Sequence, residues 1–306
     1  MRVIVVGLGV QGYKRRRVAG TECVATVDPV NPEADFRAIE EVPLSSYDAA
    51  LCCIPDEPKR EVLSWLLGRG KHVLVEKPLW CPSDSDLAGL EALARANRAV
   101  CYTAYNHRFE PHFVALRDVV ASGRLGRIYS CRMFYGNGTA RLVRDSAWRD
   151  QGAGVLPDLG SHLLDTCRFW FGELAGDFRL AACNRFENAA PDHVVLTNEA
   201  SSPRIELEMT LLMWRNHFTC DILAEGGSAH IDSLCKWGPS SFTVRTRVLP
   251  SGRPPEEAVT LVRDDPTWAL EYQHFKSLVA AGQPADLTTD RWLQATLGRL
   301  GAEALG

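Results

Sequence analysis

The 306-residue chain lacks several features that would set it apart from ordinary globular proteins. No apolar run is long enough to span a bilayer, and residues 1–6 lead straight into a glycine loop, which is unlike a signal peptide. Apart from residues 14–17 there is no strongly basic block, and the net charge is −4. We therefore expect no membrane and no nucleic acid as the main partner.

Paired cysteine motifs are also missing, although the chain has 10 cysteines. Cys52 and Cys53 are adjacent within an apolar stretch, and the others are scattered without a CxxC pair. This spacing suits neither a zinc site nor a small disulfide-bonded fold. Buried free thiols in a reducing cytoplasm are the simplest interpretation.

The composition is that of a normal folded protein, with 46% hydrophobic and 24% charged residues, and the length favours two domains. In the first third, short apolar runs alternate with helical patterns, which predicts a doubly wound parallel sheet. The expected strands are 3–6, 23–27, 49–54, 72–75 and 100–105, and the expected helices are 57–67 and 85–96.

After about residue 108 the pattern changes to mostly strands, one of which alternates apolar and polar residues from Arg204 to Leu211. That alternation predicts a sheet with one dry face and one wetter face. We expect domains at 1–108 and 109–306, with the C-terminal helix also able to pack back on the first. The predicted strands are 127–135, 178–186, 193–198, 204–212, 217–224, 241–249 and 258–262, and the predicted helices are 111–122, 158–171, 267–281 and 290–304.

The chain opens with a glycine motif directly behind its first strand. Gly7, Gly9 and Gly12 fit G-x-G-x-x-G, and Asp28 ends the second strand where a ribose-binding acid belongs. The loop residues Val10 and Gln11 share the predicted cofactor site. Because no arginine follows Asp28 directly, NAD is favoured over NADP. Asp28 is alternatively a turn former before Pro29.

The interval from Gly7 to Asp28 is short, so we expect a first helix of about two turns. It carries Lys14, Arg15, Arg16 and Arg17. The simplest interpretation is a solvated face, and the alternative is that one of them contacts an anionic substrate or a cofactor phosphate.

Two distant segments offer groups that can move a proton off a hydroxyl. Lys77 follows a predicted buried strand, and Asp158 and His162 are one helical turn apart, with Asp165 continuing their face. Each has an ordinary structural interpretation: a surface lysine, a helix N-cap and a core histidine. A metal site with His193 as a third ligand is a minor alternative, and we predict none.

Four motifs in order make the first 170 residues resemble the Gfo/Idh/MocA oxidoreductases, the glucose-fructose oxidoreductase and inositol dehydrogenase group. They are the glycine motif, Glu76-Lys77-Pro78, residues 105–109 (Tyr-Asn-His-Arg-Phe), and the spacing of residues 154–165. The resemblance implies a Rossmann domain followed by an open, mostly antiparallel sheet with helices on one face.

The resemblance also implies roles for particular residues. Lys77 and His162 would handle the substrate hydroxyl, with Asp158 orienting or polarising. Glu76, Lys77, Asn106 and the backbone near Ile54 and Pro55 would belong to the cofactor site. The family further implies a cis bond before Pro78 and homodimers or homotetramers formed through the exposed sheet.

Together these features predict an NAD-dependent oxidoreductase acting on a secondary alcohol of a sugar, an inositol or a nucleotide-sugar-like substrate. Arg108, Trp148 and Arg149 are candidate substrate contacts, beside Asp158 and His162. Two alternatives remain open. One is a non-catalytic NAD-binding sensor or scaffold of the same fold, and the other is a reductase of an imine, an enone or a diol.

Overall fold

The computed structural model describes residues 1–146 and 149–305. They form two compact units, Met1–Asn106 with Pro266–Ala295, and His107–Asp265 with Thr296–Gly306. The sequence predicts a boundary after residue 108, with the C-terminal helix able to pack back on the first domain, and residues 266–295 group with the first unit. The physical reason is burial: Tyr272 and Phe275 complete a hydrophobic cluster that contains Val3 and Val5 of the first strand.

The described residues contain 13 strands and eight α-helices. The strands are β1 Val3–Val6, β2 Cys23–Val27, β3 Ala49–Cys52, β4 His72–Glu76, β5 Cys101–Ala104, β6 Ile128–Gly136, β7 Arg179–Asn184, β8 His193–Asn198, β9 Arg204–Thr210, β10 His217–Ala224, β11 Gly227–Asp232, β12 Ser240–Thr246 and β13 Glu256–Leu261. The helices are α1 Val10–Ala19, α2 Asp56–Leu67, α3 Asp84–Ala96, α4 Pro111–Ala121, α5 Ala140–Arg144, α6 Ser161–Phe171, α7 Thr267–Ala280 and α8 Thr288–Leu305.

The first unit is built on a five-stranded sheet in the order β2-β1-β3-β4-β5, with every neighbouring pair parallel. Its strands are buried on both faces. Along β1, Val3 and Val5 enter one core cluster, and Ile4 and Val6 enter the other. Two-sided burial explains why these strands read as continuous apolar runs. The predicted doubly wound parallel sheet is confirmed.

The strand order reverses between β1 and β3. In an open parallel sheet, a ligand crevice forms at the carboxyl ends of the strands flanking such a reversal. The glycine loop follows β1, and Cys53 and Ile54 follow β3. The topology therefore puts the predicted cofactor residues of these two loops at one edge of the sheet.

The first helix is longer than predicted. It runs for 10 residues from Val10 to Ala19, nearly three turns, because it begins inside the glycine motif. The segment Gly20–Glu22 that follows is a single 3₁₀ turn, so β2 starts directly after it.

The second unit is built on an eight-stranded sheet in the order β13-β12-β11-β10-β6-β9-β8-β7. The β6–β9 pair is parallel and the other pairs are antiparallel. Ile205, Leu207 and Met209 are fully buried, as their alternation predicted. The mostly antiparallel sheet implied by the resemblance is confirmed.

Three local features of the second unit differ from the expectation. Strand β11 was not predicted, because its two buried apolar residues, Ala229 and Ile231, give a weak alternating signal. The segment 136–157, for which the sequence predicts neither a helix nor a strand, contains the short helix α5. Helix α6 begins at Ser161, after a π-helical turn over Leu156–Gly160, rather than at residue 158.

Among the described residues, none of the helices combines the length and apolar character needed to cross a membrane. All 10 cysteines are free, and Cys23, Cys53 and Cys183 are half-buried while the other seven are buried.

Candidate active site

The glycine loop of the first unit is closed so tightly that two of its glycines admit no side chain. Gly7 has φ +88°, and a Cβ there would lie 2.4 Å from the carbonyl oxygen of Cys53. A Cβ on Gly12 would lie 2.0 Å from the carbonyl oxygen of Gly7. By contrast, a Cβ on Gly9 would meet no atom within 4 Å among the described residues. The backbone at Gly9 is therefore open to a close-approaching group, as a bound pyrophosphate requires.

The carboxylate of Asp28 is fixed beside this loop. One oxygen accepts the backbone N–H of Leu8 at 2.7 Å, and the other accepts those of Val30 and Asn31 at 2.9 and 2.8 Å. Burial alone would raise the pKa of Asp28, but these amides hold the pKa below its usual value. Asp28 is thus both the turn former and an ionised, fixed acid at the end of β2.

The remaining cofactor candidates also lie in the first unit. Ile54 and Pro55 connect β3 to α2, and Pro55 is exposed. Asn106 is buried, and its side-chain amide donates to the hydroxyl of Thr267 at 2.8 Å. Val10 is 75% exposed and Gln11 is exposed, at the open end of α1.

Lys77 stands at the carboxyl end of β4 in a segment held on both sides. The Lys77–Pro78 bond is cis, which confirms the expectation from the resemblance. The carbonyl oxygen of Pro78 accepts a hydrogen bond from the buried ammonium of Lys59 at 2.7 Å, and Lys59 also pairs with Asp56 at 2.6 Å. These contacts fix the backbone that carries Lys77.

Arg15 does not belong to a solvated face, contrary to the simplest interpretation of its cluster. It is buried, and its guanidinium pairs with Glu76 at 2.7 Å and with Glu271 at 2.6 Å. The guanidinium of Arg15 also stacks on Trp268, with its central carbon 4.3 Å from the centroid of the indole ring. Burial opposes the charged form, but the two carboxylates outweigh it and raise the pKa of Arg15.

The sequence contained a signal for this burial. Arg15 is three residues after Gly12 and four before Ala19, and all three are the buried residues of α1. Helical spacing therefore placed Arg15 on the inward stripe. Its exposed neighbours Lys14, Arg16 and Arg17 do form the predicted solvated face.

In the second unit, His162 lies in the first turn of α6 and is buried. Its imidazole stacks on that of His107, with ring centroids 4.0 Å apart and an angle of 21° between the planes. The ring of Tyr135 lies 6.2 Å from that of His162 and 5.5 Å from that of His107. Burial, with the nearby carboxylate of Asp158, raises the pKa of Tyr135, so its hydroxyl stays protonated.

The imidazole of His107 also lies next to a charged side chain. The ammonium of Lys236 lies 3.2 Å from Nε2 of His107 and 4.7 Å from the ring centre of Trp237. Sequence reasoning missed both His107 and Lys236 as site residues. They are 129 positions apart, and no local pattern could have joined them.

Arg108 forms an ion pair with Asp165, donating through Nε at 2.9 Å and through a second nitrogen. Asp165 is buried, and that burial raises its pKa although Arg108 opposes the rise. Within the second unit, this pair ties residues 107–109 to α6. The guanidinium proposed for substrate is thus engaged with a carboxylate of its own unit.

The other substrate candidates are less defined. Asp158 is half-buried within the π-helical turn before α6, and its carbonyl oxygen accepts from the hydroxyl of Ser161 at 3.2 Å. It does not cap α6, whose N-cap residue is Gly160. Arg149 is half-buried, and its backbone N–H donates to the carbonyl of Ser146 at 2.8 Å. Trp148 lies outside the described residues.

Comparisons with known proteins agree with these motifs and with the two sheets. The family model of the GFO/IDH/MocA C-terminal domain matches residues 113–230. Inositol 2-dehydrogenase 4 of Saccharopolyspora erythraea is 26% identical over 282 residues, which is 83% of this chain and 80% of that protein. This domain match and this relative support the Gfo/Idh/MocA family that the motifs predict.

Other relatives match part of the chain or share its fold. An uncharacterised oxidoreductase of Schizosaccharomyces pombe is 31% identical over 160 residues, 51% of this chain, and the match spans only 42% of that relative's length. A solved levoglucosan dehydrogenase in complex with NADH superposes with a TM-score of 0.82, at 17% identity, over 99% of this chain and 97% of the other. That structural likeness concerns the fold.

Proposed function

We propose that this Gfo/Idh/MocA chain is an NAD-dependent dehydrogenase. It moves a hydride between the nicotinamide and a carbon that bears a secondary hydroxyl, on a sugar, inositol or nucleotide-sugar-like substrate. The single observation that carries the proposal is the glycine loop. Gly7 and Gly12 admit no side chain while Gly9 is open, and an ionised Asp28 is fixed beside the loop.

These residues fit a dinucleotide. Gly9 and the first turn of α1 would hold the pyrophosphate, since no described side chain caps that helix end and its first turn carries no acidic residue. The carboxylate of Asp28 would accept hydrogen bonds from the ribose hydroxyls and repel a 2′-phosphate, which favours NAD over NADP. When bound, the nicotinamide supplies the hydride acceptor.

The proton chemistry falls to the chain itself. His162 would take the proton from the substrate hydroxyl as general base. Lys77, as an ammonium, would stabilise the developing alkoxide by its charge and relay the proton. In the alternative assignment, a neutral Lys77 accepts the proton in place of His162. Asp158 would hold the imidazole in its reactive tautomer, and Arg108, Trp148 and Arg149 would contact the substrate.

We further propose a homodimer or homotetramer formed through the outward face of the eight-stranded sheet. Arg132 lies on that face and pairs across strands with Glu206 at 3.1 Å and Glu208 at 3.5 Å. Such alternating charges allow a second copy to pair with the same surface. A cytoplasmic location is supported by the 10 free thiols.

The first experiment measures reduction of NAD and of NADP with a panel of inositols, free sugars, anhydro sugars and nucleotide-linked sugars. We expect reduced NAD to form with at least one polyol, and only weakly with NADP. Tight NAD binding without turnover on any substrate, in either direction, would favour a cofactor-binding sensor instead.

The second experiment removes the proposed proton-handling groups. Lys77→Met and His162→Asn should each lower kcat by at least ~10²-fold, because each group acts on the hydroxyl in the transition state. Matched controls are Lys276→Met and His193→Asn, which should retain turnover. A Lys77→Met, His162→Asn double variant with full turnover would contradict the mechanism.

A further inference from the structure

The stacked pair His107 and His162 contains one ring that the proposed mechanism uses and one that it does not. Two imidazoles at a centroid distance of 4.0 Å cannot both become imidazolium cations without strong repulsion. If either ring could accept the substrate proton, His162 would not be the defined base. The structure contains a group that resolves this ambiguity.

That group is Lys236. An ammonium can only donate hydrogen bonds, so Nε2 of His107, 3.2 Å away, must accept. His107 then carries its single proton on Nδ1 and is neutral. Protonating Nε2 would break this hydrogen bond and place two cations in contact. Of the two stacked rings, His162 is therefore the one that can accept a second proton.

We propose that Lys236, acting through His107, is a positioning residue that sets the protonation of His162. The inference rests on the proposed role of His162 as base. The positive charge also disfavours an imidazolium at His162, so the base stays neutral at the pH where it must accept a proton. When the proton arrives, the neutral face of His107 offers the imidazolium a stacking surface.

Other titratable groups surround the pair, and they are the same in every variant considered below. Tyr135 on β6 is held protonated, and Asp158 precedes the ring by one turn. Asp165 is paired with Arg108. Glu110 accepts from the backbone amide and the thiol of Cys235, so it is committed to the residue next to Lys236.

The test is a proton NMR titration of the His162 ring in the full-length protein, with the resonance assigned by its loss in His162→Asn. In Lys236→Met the midpoint should rise by roughly one pH unit, because a nearby cation is gone. Lys236→Arg, which keeps the charge and the donor, should leave the midpoint near that of the wild type. An unchanged midpoint in Lys236→Met, in a protein that melts at the wild-type temperature, would overturn the proposal.

The pH dependence of kcat/KM supplies a second readout that a merely structural role would not move. If Lys236→Met shifts the acidic limb upward by the same amount, turnover lost near neutral pH returns at higher pH. A variant that lost turnover equally at every pH would show that Lys236 only anchors its segment. If the ring midpoint moves but the activity limb does not, the inference about Lys236 stands and the assignment of His162 as base fails.

Discussion

The two segments proposed to handle the proton are supported by different physics. In the first unit, Glu76 next to Lys77 is held by the buried guanidinium of Arg15, which Glu271 also binds. In the second unit, His162 is supported by ring contacts with His107 and Tyr135. Charge fixes one segment and aromatic packing the other. Removing one partner should therefore have unequal consequences in the two units.

The largest expected effect is on the charged support. Arg15→Met leaves the buried carboxylate of Glu271 and the half-buried one of Glu76 without their cation, and should lower the free energy of unfolding by about 3–5 kcal/mol. Chemical denaturation of the purified variant measures it. The matched control is Arg291→Met, which breaks an exposed pair with Asp84 and should change stability little. Equal losses of unfolding free energy in the two variants would contradict the claim that burial makes the Arg15 ion pairs more important for stability.

The next effect separates folding from cofactor binding within the glycine loop. Gly12→Ala forces a Cβ against the backbone oxygen of Gly7 and should cost about 1–3 kcal/mol of stability. Gly9→Ala meets open space, so its melting temperature should stay near the wild-type value while NAD affinity falls. Calorimetric melting and NAD titration distinguish the two. Undiminished NAD affinity in Gly9→Ala would argue against a pyrophosphate at this loop.

The smallest effect compares a half-buried carboxyl of the first unit, Asp28, with a buried one of the second, Glu110. The amides around Asp28 hold its pKa below the usual value, so its contribution to stability is present above that value and is lost as pH falls. For Glu110, burial raises the pKa despite hydrogen bonds from Cys235, so its contribution falls as pH rises through the folded-state pKa.

These signs predict opposite slopes in urea unfolding, in two different pH ranges. Asp28→Asn should become more destabilising relative to the wild type as pH rises towards about 4, the ordinary pKa of an aspartate. Glu110→Gln should become less destabilising as pH rises above about 4.5, the ordinary range of a glutamate. Parallel slopes would show that the two carboxyls share one kind of environment.

Much of the site in the first unit was predictable because its determinants are local. Gly7, Gly9 and Gly12 lie within six residues, and the acid that follows them ends the next strand of the same sheet. Two-sided burial makes parallel strands continuous apolar runs, so the sheet could be located from the sequence. The first helix and β11 were less well predicted, since helix ends and short alternating strands give weak signals.

The sequence by itself determined the two sheets and the residue types available for proton and cofactor chemistry, and its motifs carry the resemblance to the Gfo/Idh/MocA family. Tertiary structure decided which charges are buried and with whom. It made Arg15 the centre of an ion-pair network with Glu76 and Glu271, and it brought His107, His162 and Lys236 together from three segments. The reason is physical: local periodicity encodes which face of an element is buried, but the partner it meets depends on how distant elements pack.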